Sequence, residues 1–288
     1  AEAASDASER GVVHIAGGGI AGLAAALALA QQRFRVSIWE RAVEPSEAGA
    51  GLQLGPNAVH ALRLLDAADY VAPFAVAPKA LTVKRGRDGR TLTRMPLGAE
   101  IAERHGAPYW VVHRADLRAA LLARAGQEPR ITLTYNSGVI DVERIGDGVA
   151  VKLADGKRVE GRALVGADGV WSAVRSNVVP GVQPRQSGYV AYRAVVPVAL
   201  GQILGATDEV GAWLRPDAHL VHYPLRGGAL MNVVVIAGST WTGDTWSGPV
   251  ESTEVAALLA RFSPELVRAF ADVTWLKWAL AAPVRLPR

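Results

Sequence analysis

The sequence predicts an α/β protein (α+β overall), in which a Rossmann-like dinucleotide-binding domain is interleaved with a second domain built on a β-sheet. Three observations carry that reading. Near the N-terminus a strand, a glycine turn, a helix, a second strand and an acid follow one another in order. Two later segments, at 48–58 and 163–175, place glycine-rich loops beside a strand or a helix start. The stretches around residues 189–237 are rich in Val and aromatic residues at strand spacing.

The first element is Val12-Val13-His14-Ile15-Ala16, a short buried strand, with Gly17-Gly18-Gly19-Ile20-Ala21-Gly22 directly after it. Gly17 makes the tight turn, Gly19 lets the backbone approach a pyrophosphate, and Gly22 lets the helix pack closely on the strand. Residues 23–32 are Ala/Leu-rich and helical, and the helix N-terminus offers free N–H groups and a positive dipole end to phosphates. The strand 34–39 then ends at Glu40, where a carboxylate can bond ribose hydroxyls. An acid there favours a free ribose, hence FAD or NAD over NADP.

Composition bounds the rest. A chain of 288 residues holds one large domain or two moderate ones. With no cysteine it has no disulfide framework, Cys-ligated zinc, iron–sulfur cluster or Cys nucleophile. Half the residues are hydrophobic and 20% are charged, which excludes bulk disorder. The net charge of +4 comes from scattered Lys and Arg, which is no nucleic-acid footprint. The longest helix-like apolar run, 20–30, is too short for a bilayer, and residues 1–10 form a small, polar, disordered tail without a signal-peptide core. The expectation is a soluble cytoplasmic protein that binds neither membrane nor nucleic acid.

Further along, Asn57 is placed to cap a helix over 58–65, and His113-Arg114-Ala115-Asp116-Leu117-Arg118 opens an amphipathic helix. Segments 131–135, 139–144 and 149–153 read as a β-meander, with Asp147-Gly148 and Asp155-Gly156 as turns. A buried strand from Ala163 ends in Asp168-Gly169, followed by a turn and then Ser172 and Arg175 on a new helix. Asp88-Gly89 marks a hairpin between 80–85 and 91–95. Strands are expected at 189–198, 210–214, 219–224 and 230–237, then helices at 255–262 and from Pro264 to about 271. The first domain takes residues 11–77 and 106–178, the second 78–105 and 179–280.

These motifs resemble the single-component, FAD-dependent aromatic hydroxylases typified by para-hydroxybenzoate hydroxylase, and among them the salicylate and 3-hydroxybenzoate hydroxylases. The resemblance rests on Gly17–Gly22 with Glu40-Arg41, Gly49-Ala50-Gly51-Leu52-Gln53, Pro108-Tyr109 with His113-Arg114, Gly166-Ala167-Asp168-Gly169 with Ser172 and Arg175, Gly188–Arg193, and His219–Gly228. It implies FAD as cofactor, NADH or NADPH as a transient reductant, and molecular oxygen and a small aromatic acid as substrates, with a homodimer as the assembly to test. It also implies cofactor contacts from Gly17, Gly19, Gly22, Glu40, Arg41, Gly51, Gln53, Arg114 and Asp168. A later Gly-Asp-Ala-Ala-His segment of that family is not found before Arg288, and the C-terminal part is expected to be absent.

His219 and His222 lie three apart on a strand, so they face opposite sides and only one meets the pocket. The resemblance assigns the active-site base to His219, with Tyr223 and Tyr109 lining the pocket and Tyr192-Arg193 nearby. His14 reads as structural, His60 and His105 as surface residues, and Trp241, Trp246, Trp275 and Trp278 as core more than stacking platforms. The rival readings are an FAD oxidase or dehydrogenase on the same scaffold, and a truncated nucleotide-binding fragment without catalysis.

Overall fold

The structure is a computed structural model that describes residues 10–44, 50–239 and 247–282. Gly49, Trp241 and Trp246, the tail and the last six residues lie outside the described residues. Strand β1 (Val12–Ala16) leads through the glycine turn into α1 (Ile20–Gln31), and β2 (Arg35–Trp39) follows. Next come β3 (Gly51–Leu54), α2 (Pro56–Leu64) and α3 (Ala68–Val71), and then the hairpin of β4 (Ala80–Arg85) and β5 (Thr91–Pro96). After α4 (Gly98–His105) the chain runs through β6 (Trp110–His113), α5 (Arg114–Ala125) and β7 (Ile131–Thr134). Strands β8 (Val139–Ile145), β9 (Gly148–Leu153), β10 (Arg158–Gly161) and β11 (Ala163–Gly166) precede α6 (Ala173–Val178).

The remainder is mostly one sheet. Strand β12 (Arg185–Pro197) is followed by α7 (Val198–Gly201), β13 (Val210–Leu214), β14 (Ala218–Leu225) and β15 (Leu230–Gly238). Then come β16 (Ser247–Pro249), α8 (Ser252–Ala260), α9 (Pro264–Ala269) and β17 (Leu276–Ala282).

Strands β11-β1-β2-β7 form a parallel sheet in that order. Helices α1 and α5 cover one face of it, while β2 and β7 still alternate apolar and polar residues. Ile15, Ile38, Leu23 and Leu27 are buried between sheet and α1, with Leu117 and Leu121 of α5 beside them. The expected meander is corrected here. β7 is the edge of the parallel sheet, paired with β2, and the antiparallel meander is β8-β9-β10. The misplacement has a simple cause: a short alternating strand carries no mark of its partner. Asn57 is a second correction. Gly55 stands at the N-cap of α2, no side chain caps that helix, and Pro56 opens it.

The second sheet has eight strands in the order β16-β17-β12-β15-β14-β13-β4-β5. The hairpin β4–β5 therefore leaves the first half of the chain and joins the last, with β4 parallel to β13. One face of this sheet packs on α8 and α9 through Leu220, Met231, Val233, Leu259 and Phe270. The opposite face meets β3 and β6 through Tyr223, Leu225 and Val111. His14 is buried in β1, and His60 and His105 are exposed, as their sequence context implies.

Candidate active site

The three glycines after β1 are needed for three different reasons. Gly17 has φ +100°, and a Cβ there would stand 2.5 Å from the Ala167 carbonyl oxygen. A Cβ on Gly22 would stand 1.9 Å from the Gly17 carbonyl oxygen, so α1 could not seat on β1. Gly19 has nothing within 4 Å of its Cβ position, which leaves open space over the helix N-terminus. No side chain caps α1, so its first N–H groups and the positive end of its dipole face that space.

Glu40, at the end of β2, accepts a hydrogen bond from the Gly18 N–H at 2.7 Å and another from the Ala42 N–H at 2.8 Å. From the other side, Arg118 Nε donates to the Gly18 carbonyl at 3.0 Å. One carboxylate and one guanidinium thus hold both ends of the turn's central residue. The adjoining cleft, about 680 Å³ including its open mouth, is lined by Gly19, Glu40, Arg41, Asp168 and Trp171 among others. Asp168 accepts from the Ser172 hydroxyl at 2.5 Å and from the Val174 N–H at 3.2 Å, while Ser172 Oγ caps α6 by accepting from the Arg175 N–H at 2.9 Å. The Asp-Gly turn is therefore clamped against the cleft by its own helix.

Gly51, Gln53 and Arg114 form a second group, where the two halves of the fold meet. Strand β3 pairs with β6. The Arg114 N–H, at the first turn of α5, donates to the Ala50 carbonyl at 3.0 Å, and His113 caps that helix by accepting from the Ala115 N–H at 3.3 Å. Tyr109 OH donates to Gln53 Oε1. Gly51 lies on the ring of Tyr223, where a Cβ would stand 2.4 Å from Cε2. The dinucleotide cleft and this junction with the second sheet are thus both built from glycine-bearing loops of the first half.

The wall of the junction is the inner face of the large sheet. Strand register puts His219, Val221 and Tyr223 of β14 opposite Ile236, Val234 and Asn232 of β15, and Ile236 and Val234 opposite Ala191 and Arg193 of β12. Cross-strand partners share a face, so His219, Tyr223, Asn232 and Arg193 look the same way. Burial lowers the His219 pKa and keeps the imidazole neutral. Burial likewise pushes the Tyr223 hydroxyl up, so it stays protonated and can donate. Burial first, and then the Arg114 cation, lowers the pKa of Arg193. Its guanidinium lies 4.9 Å from the Trp278 ring centroid, its buried Nε has no acceptor, and no carboxylate pairs with it among the described residues.

His222 points the other way. It is 1% exposed, with the Nε2 edge of its ring against Gly211, and burial pushes its pKa down to about 3. The Tyr192-Arg193 pair is split by the same alternation, which corrects the expectation for Tyr192. Its hydroxyl donates to Glu254 at 2.6 Å on the helix side, and burial, with Glu254 adding to it, pushes it up to about 12. Trp275 is core, while Trp278 is a cation platform. Sequence reasoning missed Arg118, Asn232 and the Asp116–Arg226 pair, whose oxygens and nitrogens lie 2.9 and 3.0 Å apart. The only signal for Asn232 was a lone amide inside the apolar run 230–237.

A glycine turn opening a parallel sheet, an acid at the end of the second strand and a broad second sheet closing the junction define a dinucleotide-binding protein of the flavoprotein type. The chain belongs to the FAD binding domain family, which matches residues 10–284. It is 38% identical over 273 residues to 3-hydroxybenzoate 6-hydroxylase of Polaromonas naphthalenivorans, covering 93% of this chain and 67% of that protein. It is 35% identical over 255 residues to 3-amino-4-hydroxybenzoate 2-monooxygenase PtnB3 of Streptomyces platensis, covering 88% and 63%. The chain thus spans about two thirds of the length of the curated relatives it matches. An HpxO variant of Klebsiella pneumoniae in complex with FAD superposes with a TM-score of 0.80 at 23% identity, over 96% of this chain and 71% of that one, and so shares the fold. Among the described residues no helix is long and apolar enough to cross a membrane.

The residues present fit FAD. The open space at Gly19, the uncapped α1 and the Glu40-Arg41 edge suit its pyrophosphate and ribose, and the Gly51–Gln53 strand lies against Tyr223 and Asn232 of the second sheet.

Proposed function

We propose that this chain carries the cofactor and substrate sites of an FAD-dependent monooxygenase that hydroxylates a small phenolic acid with NADH or NADPH and molecular oxygen. The overall change is substrate, O2, NAD(P)H and a proton to hydroxylated product, NAD(P)+ and water. When bound, FAD supplies the electron transfer from the nicotinamide and the activation of oxygen. The observation that carries the reading is one wall bearing a neutral imidazole, a protonated phenol and a half-buried cation without an acidic partner: His219, Tyr223 and Arg193.

That set matches a hydroxylated aromatic acid. A half-buried guanidinium lacking a carboxylate of its own is completed by the carboxylate of a ligand. His219, neutral at pH 7, accepts the proton of the ring hydroxyl and so raises electron density on the carbon to be hydroxylated. Strand spacing puts the Cα atoms of His219 and Arg193 roughly 12 Å apart, two strands and one pleat repeat, which leaves room for one substituted ring between the side chains. Tyr223 and Tyr109 bound the ring, with Tyr109 held by Gln53. In the dinucleotide cleft, Gly19, Glu40, Arg41 and Asp168 bind the adenosine and pyrophosphate portions, and Gly17 and Gly22 shape the turn. Gly51, Gln53 and Arg114 hold the portion that meets the substrate. The two hydroxybenzoate-acting relatives support this substrate class.

The test is an absorption spectrum of the purified protein, followed by NADH oxidation with and without 3-hydroxybenzoate and mass analysis of the product. Bound flavin, substrate-stimulated NADH oxidation and a product one oxygen heavier are the expected result. Flavin reduced by the phenolic acid alone would identify an oxidase or dehydrogenase, and a protein that takes up no FAD would sink the reading.

A further inference from the structure

We propose that Asn232 is a positioning residue: it sets the height of the Gly51 strand above the substrate wall, and through it the placement of the cofactor. The proposal rests on the reading above for what the two surfaces hold. It stands by itself on the contacts.

Asn232 lies in the middle of β15 at 0% exposure, among Met231, Val233 and Val235, which are equally buried. Its Oδ1 accepts a hydrogen bond from the Gly51 N–H at 2.9 Å, across 181 residues of sequence. Directly opposite on β14 stands Tyr223, whose ring occupies the space a Cβ of Gly51 would need. The same glycine is therefore drawn to the sheet by one residue and stopped by the residue paired with it. Only a residue lacking a side chain can approach closely enough to be held both ways.

Whatever fixes Gly51 also fixes its neighbours. The Ala50 carbonyl receives the N–H of Arg114, and Gly51 itself is paired with His113, the cap of α5. Two strand positions on, Gln53 is bonded to Tyr109. A shift at Gly51 thus moves Arg114, Gln53 and Tyr109 with it. A misplacement of about 1 Å between reacting groups is enough to cost large factors in rate.

The amide has a second feature that a packing role does not explain. A backbone N–H only donates, so Oδ1 must face Gly51, and the NH2 end is left buried with no acceptor. An apolar side chain of the same size would avoid that desolvation cost. The strand carries Asn in spite of it, which is the pattern of a group kept for placement and not for stability.

The variants are Asn232→Leu, which removes the acceptor at nearly constant volume, and Asn232→Asp, which keeps an acceptor for Gly51. The readouts are the FAD dissociation constant of the apoprotein, followed by quenching of Trp39 and Trp171 at the cleft, the ratio of hydrogen peroxide to hydroxylated product, and the melting temperature of the apoprotein. Asn232→Leu should melt near the wild-type temperature, because relief of the buried NH2 group offsets the Gly51 N–H left without its acceptor, and it should bind FAD about tenfold more weakly and release more peroxide per NADH consumed. Asn232→Asp should recover most of the FAD affinity. Unchanged FAD affinity and peroxide ratio in Asn232→Leu would overturn the proposal. So would losses in Asn232→Leu that track a lowered melting temperature and are not recovered by Asp, because that is the signature of a structural role. If the wild-type chain binds FAD but hydroxylates no phenolic acid, the reading of the reaction fails while the FAD arm still decides the role of Asn232.

Discussion

His219 and His222 differ by three positions and by everything that matters to their chemistry. One faces the junction with Tyr223 and Arg193, and the other is sealed against Gly211 on the helix side. His219→Ala should lower turnover by about 10²–10⁴-fold, the usual contribution of a general base, while flavin content stays normal. Peroxide should rise relative to product. His222→Ala should leave the product ratio near wild type and lower the melting temperature, and the reverse pattern would mean that the other face holds the substrate. Glu40 accepts from two backbone N–H groups, and a glutamine retains only one accepting oxygen. Glu40→Gln should therefore weaken FAD binding by about 1.5–3 kcal/mol, measured by titrating the apoprotein. The alternation that separates the two histidines was legible in the sequence, because side chains on a strand repeat every second residue. Asn232 was not legible as a site residue, since its meaning lies in a partner 181 positions away.

At the scale of the element, the turn between β1 and α1 holds glycines with separable duties. A valine at Gly19 meets open space, whereas even an alanine at Gly22 would overlap the Gly17 carbonyl. Gly19→Val should give a protein of near-normal melting temperature that takes up no flavin. Gly22→Ala should fold poorly, with the melting temperature falling before any ligand is added. Normal flavin occupancy in Gly19→Val would sink the placement of the pyrophosphate. The strand–turn–helix–strand order, the hairpin at Asp88-Gly89 and helices α8 and α9 could all be read from local chemistry, because glycine, proline and apolar spacing act over a few residues. The assignment of β7 failed for the opposite reason. Whether Ile131–Thr134 joins β2 or β8 is decided by burial beneath α1, which no local signal encodes.

Across the whole molecule, three histidines are held neutral by burial: His14, His219 and His222. His14 Nδ1 accepts from the Trp39 indole at 3.2 Å, a bond that protonation of that nitrogen would abolish. Each folded-state pKa lies below the ordinary value of 6.5, so the stability they contribute is complete above that pH and is lost as pH falls through 6.5 toward the folded values. The urea midpoint of the apoprotein should fall between pH 6.5 and 5, where carboxylates remain largely ionised. His14→Gln and His222→Gln should each flatten that slope, and an unchanged slope in both would count against the assignment. The hairpin β4–β5 sets a different limit, on time. Strand β4 takes its place only when Val210 and its neighbours arrive beside Leu81, so this pairing, one strand in from the edge of the large sheet, closes a loop of well over a hundred residues. Such non-local closure makes for slow folding, and until β13 docks, the hairpin offers an open edge to other chains. Refolding yield should fall steeply with protein concentration, as the interval before β13 docks becomes the window for aggregation.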